Sequence, residues 1–230
     1  MRTVPIAAVG TFGTVMVVVL AVASCRGFGP LFDRGKGPGG PNVKGTPAVC
    51  IRADTPVHSV AGEQGEILAS LALGETVYLA GESDTVAGRA ALRVRLADGS
   101  TSGWVGRQAV VPNARAGALK RQVRIYRRPD SITVTEKRFQ FMDMVALIDS
   151  SGRWAEVVGE RRIHRGWVRG DAPALNKKDV ASAIFARKKL REMSGRGRKD
   201  VLDWIILNAP FTDSYFIEQL RNMSALEALF

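Results

Sequence analysis

The sequence predicts a mainly β protein: two small β-barrels followed by a short α-helical C-terminal region. Two observations carry this. A strand–turn–Gly-Trp-Val pattern occurs twice, ending at Trp104 and Trp167, 63 residues apart. Beyond Asn176 the apolar spacing changes from alternation to the three-to-four-residue period of a helix. With 230 residues and 46% hydrophobic content, the chain can bury a core and is one or two domains long.

Residues 1–24 read as an export signal. Arg2 supplies a charge, an apolar stretch runs from Val4 to Ala23, and small residues follow before the chain turns polar. Val22-Ala23-Ser24-Cys25 resembles the lipobox of bacterial lipoproteins, with Val22 where Leu is commoner. The resemblance implies cleavage before Cys25, diacylation of its thiol, and a membrane anchor of the palmitate type. Two or more acyl chains hold a protein stably, where one is marginal. An ordinary cleaved signal peptide and an uncleaved transmembrane helix are the alternatives, the latter since about 20 apolar residues suffice to span. In each case the rest of the chain is expected in the cell envelope, facing the periplasm or the exterior.

Residues 25–47 are rich in glycine and proline and follow neither structural period, so they read as a tether. Residues 48–112 and 118–172 form the two repeats. Ala91–Leu96 leads through Ala97-Asp98-Gly99-Ser100 to Gly103-Trp104-Val105. Trp154–Val158 leads through Gly159-Glu160-Arg161-Arg162 to Gly166-Trp167-Val168. In both, a valine (Val94, Val157) stands ten residues before the tryptophan. Upstream, Gly74–Leu79 and Phe141–Ile148 alternate, and Gly81–Asp84 and Asp149–Gly152 read as the turns after them. The opening strands are expected at Ala48–Arg52 and Gln122–Tyr126, giving about five strands per unit.

These residues resemble the bacterial SH3-like (SH3b) domain, most closely at Trp154-Ala155-Glu156-Val157 and Gly166-Trp167-Val168. The first copy departs from the pattern, with Ala91 where the family usually has Trp. The resemblance covers about half the chain. It implies two small SH3-like β-barrels and recognition of cell-wall (peptidoglycan) or envelope-protein ligands. The implied groove lies between the first long loop and the Gly-Trp-Val turn, with Tyr126, Arg127, Arg128, Trp154 and Trp167 as candidate ligand-binding residues. Trp104 and Trp167 are expected in the core or at its edge.

In residues 176–230, Asn176 opens a first helix bearing Val180, Ile184, Phe185 and Leu190. A second is expected over 200–208, ended by Pro210. A third, capped by Thr212 or Asp213, carries Phe216, Ile217, Leu220, Met223, Leu226 and Leu229. Helices this short require a partner surface, here the second barrel or another protein.

No catalytic site emerges. His58 and His164 have no histidine, cysteine or carboxylate at a metal-ligand spacing, and both read as exposed loop residues. Cell-wall hydrolases that accompany SH3b domains use a cysteine at a helix start. Cys50 sits instead in an apparent strand and reads as a buried small hydrophobe. Neither a cofactor nor a metal is expected. The net charge of +11 is uneven: residues 1–112 hold 10 Lys and Arg against 8 Asp and Glu, and residues 113–230 hold 23 against 14. That excess suits a solvated face or an anionic partner. The expected partners are the membrane, through Cys25, and a cell-wall polymer or envelope protein; nucleic acid is not expected. The competing readings are a structural lipoprotein docking on an envelope protein and a basic surface adhesin.

Overall fold

A computed structural model describes residues 45–227. The expectations for residues 1–24, for Cys25 and for nearly all of the tether lie outside the described residues, as do Leu229 and Phe230. The first half contains β1 (Thr46–Cys50), β2 (Thr55–His58), β3 (Ile67–Leu71), β4 (Thr76–Val86), β5 (Arg89–Leu96), β6 (Ser102–Gly106) and β7 (Val110–Pro112). The second contains β8 (Arg115–Leu119), β9 (Val123–Tyr126), β10 (Val134–Phe139), β11 (Met144–Ser151), β12 (Trp154–Gly159), β13 (Arg165–Arg169) and β14 (Pro173–Ala174). Helices α1 (Lys177–Glu192), α2 (Arg198–Leu207) and α3 (Tyr215–Glu227) follow.

Each half is one seven-stranded antiparallel sheet. The orders are β3-β2-β6-β5-β4-β1-β7 and β10-β9-β13-β12-β11-β8-β14, the same arrangement shifted by seven strands. The closed barrels expected from the sequence are not formed among the described residues: each ladder is open, ending at β3 and β7 or at β10 and β14.

The strand order also corrects the alignment of the repeats. β1 pairs with β4 and β7, and its counterpart β8 pairs with β11 and β14. Val123–Tyr126 therefore corresponds to β2, and the second repeat opens at Arg115. β8 reads Arg-Ala-Gly-Ala-Leu, too small and glycine-broken to signal a strand. The supposed turn Gly81–Asp84 lies within a strand, and of Asp149–Gly152 only Gly152 is in a turn. Gly81 to Asp84 falls inside β4, where the register against β5 shifts between Leu79 and Ser83. The real turn is Ala87-Gly88, with positive φ at both residues, as a tight two-residue hairpin requires. A matching shift between Leu147 and Asp149 carries β11 on to Ser151. Bulges absorb the polar residues that mimic turns, and both strand ends project into solvent.

Alternation along β1 divides two cores. Ala48 and Cys50 join a cluster under the first sheet with Leu71, Val77, Val94 and Val105. Val49 and Ile51 face the other way, into a larger cluster shared by both sheets and the helices. There Met144, Ala146 and Val158 meet Val180, Ile184, Leu202, Phe216 and Leu220. Leu119, Ile125, Phe139 and Val168 form a third cluster under the second sheet.

The turn read after β12 is a short 3-10 segment, Glu160–Arg162, that docks on the first sheet. Arg161 N–H donates to Ile51 O at 2.9 Å, and Arg162 Nη2 donates to Val110 O at 2.7 Å. Arg161 and Arg162 both have positive φ, 54° and 57°, and these bonds hold that sparsely populated backbone.

α1 starts where expected: Asn176 Oδ1 accepts from Asp179 N–H at 2.8 Å. Asp179 Oδ1 in turn accepts from Tyr215 N–H at 2.7 Å, joining the starts of α1 and α3. α2 begins at Arg198 rather than residue 200. Neither Thr212 nor Asp213 caps α3; Ser214 Oγ accepts from Ile217 N–H at 3.3 Å. The apolar stripe of α3 packs inward through Phe216, Ile217, Leu220 and Met223, and only Leu226 stands exposed.

Candidate functional site

The strand pairing builds a face on the second sheet. Gly166 and Val168 of β13 point to the core, so Arg165, Trp167 and Arg169 point to the opposite side. Register sets Trp154 opposite Arg169, Glu156 opposite Trp167, and Trp167 opposite Tyr126. Tyr126 meets Trp154 edge-on, with ring centroids 4.8 Å apart at 71°. The Arg169 guanidinium lies 4.3 Å above the Trp154 ring, a cation–π stack that holds both side chains.

Three of the five candidate residues, Tyr126, Trp154 and Trp167, thus share one side of the sheet. Trp154 is 8% exposed, and Tyr126 and Trp167 are half-buried. Trp104 and Trp167, expected in the core or at its edge, are both half-buried and belong to none of the three core clusters. The preceding glycines explain the Gly-Trp-Val pattern. A Cβ on Gly166 would stand 2.5 Å from Ile125 Cγ2 and 2.7 Å from Tyr126 O; on Gly103 it would stand 2.6 Å from His58 O. The glycine lets β13 or β6 lie close to its neighbour.

Arg127 and Arg128 leave this face at the start of the β9–β10 loop, both exposed. The loop is shaped by Asp130, whose Oδ1 accepts from Ile132 and Thr133 N–H at 2.9 Å each, and by Arg128 N–H donating to Thr133 Oγ1 at 3.0 Å.

Trp154 also lines a groove of about 750 Å³. Arg115, Arg121, Arg153 and Arg169 line it with Leu147 and Leu175. Arg121 Nη2 pairs with Asp171 Oδ2 at 2.7 Å, which holds the Asp171 carboxyl below its ordinary pKa. Sequence reading missed this groove. Its arginines come from β8, two turns and the end of β13, and they meet only through pairings distant in sequence, Arg115 with Leu147 and Trp154 with Arg169.

The first sheet presents the same positions with different side chains. Trp104 faces His58 and Arg93, where Trp167 faces Tyr126 and Glu156. Ala91 and Gly106 stand opposite each other where the second sheet has Trp154 and Arg169. His58 is not the exposed loop residue expected: it is 9% exposed in β2, with Nδ1 3.1 Å from Gly65 O. His164 is half-buried against Phe139, ring centroids 5.7 Å apart, and its Nδ1 is buried without a hydrogen-bond partner.

Cys50 is fully buried, as expected, and burial pushes its thiol above the ordinary range. Its Sγ lies 3.1 Å from Arg52 O and 3.5 Å from Thr55 Oγ1. A thiol kept protonated and covered is a poor nucleophile. Among the described residues no group of three or more His, Cys, Asp or Glu side chains could hold a metal ion. Among the same residues no helix is long and apolar enough to cross a membrane.

No family model matches the chain, and no curated protein matches it either. Among solved structures it is similar to NlpC2 and NlpC1 from Trichomonas vaginalis, each at 13% identity with a TM-score of 0.25. The aligned part covers 64% and 70% of this chain, and 56% and 62% of those chains. Likeness this slight carries no argument for fold or activity.

Proposed function

We propose that this protein is a non-catalytic, SH3b-like binding module of the cell envelope, anchored by lipid on Cys25 and recognising a cell-wall (peptidoglycan) or envelope-protein ligand. The observation that carries the reading is the difference between the repeats. One strand order is used twice, and only the second sheet carries the stacked Tyr126, Trp154 and Arg169. The first sheet has Ala91 and Gly106 at the positions of Trp154 and Arg169, with neither ring nor charge. In this reading Trp167 and Tyr126 form the contact face, and Arg127 and Arg128 form its rim.

The test is retention of the full-length protein on purified sacculi at low and high salt. Binding that survives high salt and falls about tenfold in Trp167→Ala supports the wall reading. No retention, or retention lost with screening, ends it. The anchor is tested separately by metabolic labelling with palmitate, expected in the wild type and absent in Cys25→Ala.

A further inference from the structure

We propose that the groove beside Trp154 is a site for an oxyanion, a carboxylate or phosphate group, borne by a ligand with an aliphatic portion. The proposal deepens the binding reading above by naming the chemistry that the second sheet selects. Four arginines, Arg115, Arg121, Arg153 and Arg169, line one groove, and Asp171 is the single carboxylate among its lining residues. Arg121 is paired with that carboxylate at 2.7 Å. Arg115, Arg153 and Arg169 make no ion pair with any described residue. Like charges gathered without counter-ions repel, and an anion in the groove relieves that repulsion.

The guanidinium group suits the task, because its planar fork pairs two donors with two oxygens of a carboxylate or phosphate. Arg169 is already held, stacked 4.3 Å above Trp154, so less side-chain freedom is lost on binding. Trp154 is itself braced by Tyr126. Leu147 and Leu175 also line the groove and offer apolar surface to an alkyl portion of the ligand. The corresponding pair in the first sheet, Ala91 and Gly106, has neither the charge nor the ring, so the site belongs to the second repeat alone.

The test titrates isotopically labelled full-length protein, in a zwitterionic detergent, with pyrophosphate and separately with citrate. Sodium chloride at matched ionic strength serves as the reference. The readouts are the Trp154 indole N–H and Arg169 Nε–H signals in nuclear magnetic resonance spectra. The expected result is a saturable shift with at least one oxyanion. Binding should weaken tenfold or more in the Arg153→Gln/Arg169→Gln double variant and stay unchanged in Lys199→Gln, on α2. Saturation by pyrophosphate alone assigns a phosphate group, and by citrate alone a carboxylate. A response matched by sodium chloride, or saturable binding undiminished in the double variant, overturns the proposal. Sacculus retention is scored independently. Its loss with oxyanion binding intact removes only the wall reading, and retention without oxyanion binding removes only the present one.

Discussion

At the scale of single residues, Trp154 combines two roles that substitution can separate. It is nearly buried and carries the Arg169 stack. Trp154→Ala is expected to cost about 3–5 kcal/mol of stability, as large aromatic deletions do. Arg169→Gln removes the cation–π contact alone and is expected to cost about 0.5–1 kcal/mol. Urea melts of the two variants check the contrast. Cys50 gives a prediction in pH. Its folded pKa is raised by burial above the ordinary value of 9.0, so the unfolded chain loses the thiol proton first as pH rises. Its stabilising contribution is complete below that unfolded value and is lost as pH climbs through the folded one. Cys50→Ala should therefore show a shallower loss of stability above pH ~9 than the wild type. Without unfolding, Cys50 should resist thiol reagents. Cys50 was legible as a buried strand residue because apolar neighbours flank it on both sides. His58 was not, because its burial comes from β3 and β6, and a lone sequence hides neighbours of that kind.

At the scale of elements, short polar runs misled where a strand could absorb them. Gly81–Asp84 and Asp149–Ser151 carry turn-forming residues, yet a bulge in each strand takes up the irregularity and the ladder continues, the second as far as the turn at Gly152. Gly-Trp-Val was legible at both sites because its glycine answers a steric demand. Gly103→Ala and Gly166→Ala are each expected to destabilise by about 1–3 kcal/mol, the usual range for overpacking, as read from denaturant midpoints. α1 is held to the second sheet by an ion-pair network. Arg187 bonds Asp143 at 2.9 Å and Glu160 at 3.0 Å, and Arg191 lies 3.6 Å from Glu160. Arg187→Ala should cost about 1–3 kcal/mol, because it leaves the largely buried Asp143 carboxylate without its ion pair and Glu160 with Arg191 alone. The sequence gives no sign of these pairs. The partners of Arg187 lie 27 and 44 residues away, so their meeting depends on how α1 docks.

At the scale of the whole molecule, the largest core belongs to neither sheet alone. Val49 and Ile51 from the first, Met144 and Val158 from the second, and the inner faces of all three helices share it. The helices are therefore integral to the fold. Calorimetry of the full chain should give a single unfolding transition; two resolved transitions would show that the sheets melt independently. Order and number of repeats were legible because each ends in the same steric device. The joint core was not, because the residues facing it alternate with those facing the separate cores, and one strand's pattern does not say what covers its second face.

The junction between the sheets has a consequence for enzymes that cut the chain. Only Asn113 and Ala114 separate β7 from β8. Asn113 N–H donates to Pro47 O at 2.8 Å, and Ala114 is 4% exposed. A protease needs a stretch of chain it can draw into its cleft, and here the connection is two residues long, hydrogen-bonded at Asn113 and buried at Ala114. The two repeats, alike as they are in strand order, offer no nick site between them, and limited digestion should leave them joined in one resistant fragment.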